Sequence, residues 1–203
     1  HDINFEVKPN SVFAIVGESG SGKSTIAKLM AGFFDADDGR IYFGDQDVKS
    51  IPTSQLMKHV AYVAQDNFLF DTSIRENLKI AKADATDEEI QAALKAANCL
   101  ELIERLPEGL NSNAGDCGKF LSGGERQRIT LARAMLADAQ CIILDEATAY
   151  ADVENEAKIQ EALSRLMKDK TLIVVAHRLN TIVGADQIMV LGHGKIESIG
   201  THK

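Results

Sequence analysis

The sequence has no apolar run approaching the eighteen or so residues needed to cross a bilayer. This stretch of chain is therefore expected not to span a membrane, and no secretory leader is legible in it. Cysteine is scarce and odd in number: Cys99, Cys117 and Cys141 show no C-x-x-C spacing. That argues against a disulfide framework and suits a reducing compartment. Positive charge is in deficit, with 22 Lys and Arg against 30 Asp and Glu and a formal net charge of -8. Such a balance disfavours nucleic acid or anionic lipid as partners, so any phosphate binding should be local and backbone-mediated. Internal repeats and low-complexity linkers are also missing. What is present is 203 residues, 45% hydrophobic and 26% charged, the make-up of one folded domain with room for a sizeable core.

Two stretches have the makings of an anion site. Ser122-Gly123-Gly124-Glu125 has the S-x-x-E spacing of a capping box, which starts a helix and leaves its first N–H groups and partial positive charge open to an anion. On its own, this could equally be an ordinary capped helix with a Gly-Gly turn. The second stretch is more specific. Val12-Phe13-Ala14-Ile15-Val16 reads as a strand buried on both faces, and Gly17-Glu18-Ser19-Gly20-Ser21-Gly22-Lys23-Ser24 directly after it fits G-x-x-x-x-G-K-[ST]. A helix over 25–34 follows, with Ile26, Leu29, Met30 and Phe33 on one stripe. Strand, glycine loop and helix are the context in which such a loop cradles phosphates: backbone N–H groups surround them, Lys23 faces the β- and γ-phosphates, and the Ser24 hydroxyl binds Mg²⁺. A chance match in a chain of this length is on the order of one in a hundred.

Around these stretches the chain divides by character. Residues 3–7 alternate like a strand. A turn over 35–39 and short strands over 40–43 and 59–63 follow, with a weak helix over 53–58 between those strands. Gln65 ends the second of them, where it could reach a metal or water, or be a solvated loop amide. From 67 to 136 helices take over. Thr72 or Ser73 caps a helix through Lys79, Thr86-Asp87-Glu88-Glu89 is another capping box with Ile90, Leu94 and Ala97 facing inward, and 99–106 is helical until Pro107 and Gly109 break it. The last helix of this insertion runs from Ser122 to about Leu136, burying Ile129, Ala132 and Leu136, with Arg126, Arg128 and Arg133 on a solvated or interface face.

Cys141-Ile142-Ile143-Leu144 reads as a second buried strand that delivers Asp145-Glu146 at its carboxyl end, where open α/β sheets keep their chemistry. Asp145 suits a Mg²⁺ and Glu146 a proton taken from an attacking water. Asp152 would cap a helix over 153–167 whose core stripe is Ile159, Leu163, Leu166 and Met167. A third buried strand over 171–176 ends at His177, a residue that could be structural or could donate to a γ-phosphate. Strands over 187–191 and 195–199 close the chain around Gly192-His193-Gly194.

In this order the residues resemble the nucleotide-binding domain of ATP-binding cassette (ABC) transporters, over nearly the whole chain. The matching parts are the Walker A loop Gly17 to Ser24 with Thr25 opening its helix, the Q-loop Gln65, the signature Leu121-Ser122-Gly123-Gly124-Glu125, the Walker B residues Asp145 and Glu146, and the switch His177. The resemblance is nearest the exporter-type branch, in which a membrane domain precedes the ATPase. Gln65-Asp66-Asn67-Phe68-Leu69-Phe70-Asp71-Thr72-Ser73-Ile74-Arg75-Glu76-Asn77 looks like that branch's Q-loop region, and Gly115-Asp116-Cys117-Gly118 like its G-E-R-G loop, with Asp116 for Glu and Cys117 for Arg. Other departures are Glu125 for the commoner Gln, and Ala149-Tyr150-Ala151-Asp152 where Ser-Ala-Leu-Asp is usual.

The resemblance implies an α/β fold: a P-loop NTPase core with a mostly parallel sheet (about 1–66 and 137–203), an antiparallel β subdomain and an inserted helical subdomain (about 67–136). It implies ATP and Mg²⁺ as ligands, with Ser24, Gln65 and Asp145 around the metal, and Glu146, His177, Lys23 and Gln65 as catalytic residues. It further implies ATP hydrolysis that powers transport at the cytoplasmic face of a membrane. The partners would be a transmembrane domain and a second nucleotide-binding domain, set head to tail so that each ATP lies between one chain's Walker A and the other's signature. The adenine-stacking aromatic of the family would lie before His1, and the chain is expected to be a piece of something longer. The alternative is a soluble ATPase of the same family not linked to transport.

Overall fold

The computed structural model describes residues 2–64, 66–145, 153–166, 168–176 and 184–201. In chain order its strands are β1 Val12–Gly17, β2 Tyr42–Phe43, β3 Gln46–Asp47, β4 Val60–Val63, β5 Cys141–Asp145, β6 Thr171–Ala176, β7 Gln187–Gly192 and β8 Lys195–Gly200. Its α-helices are α1 Lys23–Met30, α2 Thr53–His59, α3 Ile74–Lys79, α4 Asp87–Ala96, α5 Leu100–Arg105, α6 Gly123–Ala137 and α7 Val153–Leu166. Residues 1–62, 139–146 and 169–203 cluster as one compact unit, and 63–138 with 147–168 as another. The second unit thus takes in α7 in addition to the helical stretch 67–136.

The first unit is built on a six-stranded sheet of order β4-β5-β6-β1-β7-β8. β1 lies parallel to β6 and β7, and β5 parallel to β6. Parallel strands have both faces covered, so they read as unbroken apolar runs. The burial agrees: Phe13, Ala14 and Ile15 are at most 1% exposed, and every residue of β5 is buried. Phe13, Ile15, Ile143, Ile173 and Met189 form one core with Ala27 of α1 and Leu56 of α2. The antiparallel β7–β8 hairpin turns through His193 (φ 48°) and Gly194 (φ 75°), two consecutive left-handed residues of the kind a tight hairpin turn requires. A separate antiparallel pair, β2 with β3, forms the small second sheet.

Two expectations are corrected in this unit. The first helix stops at Met30 rather than continuing to 34, because Gly32 turns left-handed with Leu56 packed where a Cβ would stand. Ala27 is its fully buried residue, while Phe33 falls beyond the helix and is 49% exposed. Residues 3–7 do not form a strand. Their burial alternates as expected, and the Phe5 ring stacks on Phe13 at 5.2 Å. The period is correct, but among the described residues no neighbouring strand supplies a ladder.

The second unit is helical. Its fully buried side chains include Leu69, Ile74, Leu78, Ile90, Leu94, Ile129, Leu131 and Ile159. Ser73 caps α3, and the Thr86–Glu89 capping box opens α4 with both reciprocal hydrogen bonds made. Ile90, Leu94 and Ala97 are fully buried, as are, nearly, Ile159, Leu163 and Leu166 of α7. Asp152 and Met167, expected at the ends of that helix, lie outside the described residues.

Of the solvated or interface face expected for the arginines of α6, the solvated alternative does not hold for Arg128 and Arg133. Arg128 is 5% exposed and donates to the Asn98 carbonyl at 2.6 Å. Half-buried Arg133 donates to Asn77 O (2.9 Å), Asn77 Oδ1 (3.1 Å) and Phe68 O (3.3 Å). Carbonyls in the last turn of a helix and in loops need outside donors, and a planar five-donor guanidinium satisfies several at once. Arg126 donates to Leu121 O at 2.8 Å and supports the turn that opens its own helix.

Candidate nucleotide site

Because β1, β5 and β6 run parallel, their carboxyl ends share one edge of the sheet. From that edge β1 releases the loop Gly17 to Ser24, β5 ends at Asp145, and β6 ends at Ala176. Gly17, Gly20 and Gly22 all have positive φ (155°, 78° and 102°), but for different reasons. A Cβ on Gly17 would stand 2.0 Å from the Leu191 carbonyl oxygen of β7, whereas one on Gly20 meets nothing within 4 Å. Gly17 is required by packing, and Gly20 leaves open space beside the loop.

Glu18, Ser19 and Gly20 form the exposed tip of this loop, and Thr25 is also exposed. Ser21 is 5% exposed, with its Oγ buried and, among the described residues, lacking a hydrogen-bond partner. Lys23 is 4% exposed, and its Nζ donates to Gly17 O (3.0 Å) and Glu18 O (2.8 Å), so the cation is folded under the loop. The N-cap of α1 is Gly22, with no side chain bonded to the first amides. A buried cation, an orphan hydroxyl and uncapped helix amides in one glycine loop fit a phosphate chain.

Asp145 is 6% exposed, and both its carboxylate oxygens are engaged. Ser24 Oγ donates to Oδ1 at 2.8 Å, and the Tyr62 hydroxyl of β4 donates to Oδ2 at 2.5 Å. A serine hydroxyl and a carboxylate in contact, beside a phosphate loop, are the sparse oxygen set on which Mg²⁺ sits when phosphates and water supply its other ligands. Among the described residues there is no group of three or more His, Cys, Asp or Glu that could hold a metal ion. Tyr62 had no sequence signal. It lies in a four-residue strand 83 positions from Asp145, and only the sheet order makes the two neighbours.

The second candidate anion site lies in the helical unit. Ser122 is the exposed N-cap of α6: its Oγ accepts from Glu125 N (3.3 Å), and Glu125 Oε2 accepts from Ser122 N (2.8 Å). Gly123 and Gly124 are the first two helical residues. Glu125 also pairs with Arg105 of α5. Its partial burial works to raise its pKa, but the Ser122 amide and Arg105 outweigh this and hold it below the ordinary carboxylate value. Gln65, Glu146 and His177 lie outside the described residues.

A family profile described as "ABC transporter" matches residues 1–149, most of the chain. The chain belongs to the ABC transporter family. Relatives of this family include the "Heavy metal tolerance protein" of Schizosaccharomyces pombe, 48% identical over 202 residues, covering 100% of this chain and 24% of that protein. The "Mycobactin import ATP-binding/permease protein IrtA" of Mycolicibacterium smegmatis is 48% identical, with 100% and 24% covered. An "ATP-dependent lipid A-core flippase" of Xanthomonas oryzae pv. oryzae is 46% identical, with 99% and 34% covered. Among solved structures, one described as "Structure of a bacterial Atm1-family ABC exporter with ATP bound" superposes with a TM-score of 0.90 at 38% identity, covering 98% of this chain and 35% of that one. The chain therefore spans 24–35% of the length of these relatives. Family membership implies that this ABC chain binds ATP, and the expected α/β architecture is the one found, a mostly parallel sheet with a separate antiparallel sheet and helices. Among the described residues no helix is long and apolar enough to cross a membrane.

Proposed function

We propose that this chain is the ATP-binding and ATP-hydrolysing domain of a membrane transporter. It would work as a head-to-tail pair that holds each ATP between one chain's Gly17–Thr25 loop and the other's Ser122–Glu125 turn. The observation that carries the reading is the contact of Ser24 with Asp145 next to buried Lys23, which joins phosphate loop and metal carboxylate in one place.

In this reading the amides around Gly20 and Gly22 receive phosphate oxygens, and Lys23 turns its ammonium toward the β- and γ-phosphates. Ser24, Asp145 and Gln65 would hold Mg²⁺, which when bound would supply positive charge to the phosphates. Glu146 orients the attacking water or accepts its proton, and His177 donates to the γ-phosphate. Ser122 Oγ accepts from the Glu125 amide, and a hydroxyl that accepts within its own turn keeps its proton to donate outward. With Gly123 and Gly124 it would reach the partner chain's γ-phosphate. Bridging charge on that phosphate favours the closed pair only before cleavage, so hydrolysis releases it.

The same reading places the chain at the cytoplasmic face of a membrane, joined to a transmembrane domain that the 115–118 loop and the 65–77 region would contact. Relatives 46–48% identical over this stretch carry names for different cargoes. A shared motor with cargo chosen elsewhere accounts for that. The test is Glu146→Gln, which should retain ATP binding, slow turnover and trap a dimer detectable by analytical ultracentrifugation. If the variant stays monomeric in saturating Mg-ATP at high protein concentration, the paired arrangement is wrong.

A further inference from the structure

We propose that Tyr62 is a positioning residue for the metal site: its hydroxyl holds the Asp145 carboxylate with Oδ1 turned to Ser24, and so sets how tightly a divalent cation is kept. The inference rests on reading Asp145 as a metal-holding group. A carboxylate's terminal torsion is broad and nearly two-fold, so its own rotamer preference does not aim its oxygens. Hydrogen bonds must do so, and among the described residues Asp145 receives them from Ser24 Oγ at Oδ1 (2.8 Å) and from the Tyr62 hydroxyl at Oδ2 (2.5 Å).

These two donors are not equivalent. Ser24 is itself a candidate metal ligand, and a hydroxyl that turns its lone pairs toward a cation must reorganise its own hydrogen bond. Tyr62 lies on the far side of the carboxylate, on Oδ2, and keeps its bond whether or not a cation sits at Oδ1. It is therefore the contact able to hold the carboxylate in one orientation throughout. The geometry suits the task. β4 and β5 are adjacent in the sheet, and the half-buried phenol ring packs edge-on against Phe33, centroids 4.9 Å apart. Asp145 is 6% exposed, so removing the Tyr62 hydroxyl takes a donor from a buried carboxylate oxygen and frees the carboxylate to rotate.

The test is Tyr62→Phe in the 203-residue chain, with Mn²⁺ as the probe. Free Mn²⁺ is followed by electron paramagnetic resonance in the presence of a saturating non-hydrolysable ATP analogue. Loss of an outer hydrogen bond to a metal-ligating carboxylate should weaken Mn²⁺ binding about 10- to 100-fold. Analogue affinity in EDTA should stay that of the parent, because the phosphate loop is untouched. Phe33→Leu keeps the hydroxyl and an apolar neighbour, and should bind Mn²⁺ like the parent. A loss there equal to that of Tyr62→Phe would assign the effect to packing and overturn the proposal. Asp145→Asn separates the two levels of the argument. If it leaves Mn²⁺ affinity intact, the metal reading of Asp145 fails and the inference falls with it. If Asp145→Asn abolishes tight Mn²⁺ binding while Tyr62→Phe matches the parent, the positioning role alone is refuted.

Discussion

Gly17 and Gly20 belong to one motif, yet the structure requires glycine at each for a different reason, and substituting alanine at both separates the reasons. At Gly17 an added Cβ would lie 2.0 Å from the Leu191 carbonyl oxygen and 2.9 Å from Ser21 Oγ. Leu191 is the residue paired with Gly17 across the β1–β7 ladder, so its carbonyl cannot swing away without opening the sheet. Overpacking of this kind costs roughly 1–3 kcal/mol, and forcing a β-carbon into a glycine-only conformation costs roughly another 1–3 kcal/mol. About 4 kcal/mol in sum corresponds to a melting point lowered by roughly 8–16 °C in a domain of this size. At Gly20 (φ 78°) nothing lies within 4 Å of the added Cβ, so only backbone strain of about 1–2 kcal/mol remains, or roughly 2–8 °C. Thermal melts of both variants, followed by circular dichroism, read this directly. Gly20→Ala should instead lose ATP affinity in calorimetry, since its methyl enters the space beside the phosphate loop. A Gly17→Ala protein that melts with the parent, or Gly20→Ala as destabilised as Gly17→Ala, would refute the reasoning.

Four further outcomes are expected. Ser122→Ala removes an N-cap and should cost about 1 kcal/mol, while Glu125→Gln keeps the capping geometry and loses only the pair with exposed Arg105, changing the denaturation midpoint little. Arg133→Met takes a donor from the part-buried Asn77 O, while Asn77 Oδ1 keeps the Phe70 amide and water can reach Phe68 O; at roughly 1 kcal/mol for a part-buried acceptor, urea unfolding should show a loss of about 1 kcal/mol. A thiol reagent should label exposed Cys117 in the folded protein, and Cys99 and Cys141 only after unfolding, because burial pushes those two thiols up to about 12 and about 11. The Glu89 pKa is lowered from 4.5 by its hydrogen bond from Lys82 and by the Thr86 amide. A depressed carboxylate pKa stabilises the fold above the unfolded value and loses that contribution as pH falls below it. Lys82→Met should therefore flatten the decline of stability below pH 4.5, as read from melts across an acid series.

Much of the site was legible along the chain because its parts are local. The P-loop spacing lies within eight consecutive residues, and the capping boxes at Thr86–Glu89 and Ser122–Glu125 each join positions three apart, so chain connectivity alone brings the partners together. The buried strands β1, β5 and β6 could be read because parallel strands covered on both faces need continuous apolar runs. The end of α1 was misjudged because its stop depends on Gly32 packing under Leu56, a contact between separate helices. For Arg128 and Arg133 the sequence left a solvated or an interface face open, and the structure removes the solvated one; a charged residue on a helix reads as solvated until the carbonyls it satisfies are known.

The amino-acid order by itself therefore determined the family, the strand-loop-helix expected to receive phosphates, and the capped turn at Ser122. Tertiary structure alone decided which carboxylate oxygen faces Ser24, that Tyr62 holds the other, and that Gly17 is needed by β7. Each of these is a relation between residues tens to more than a hundred positions apart, set by the order in which strands lie side by side, and no local spacing encodes that order.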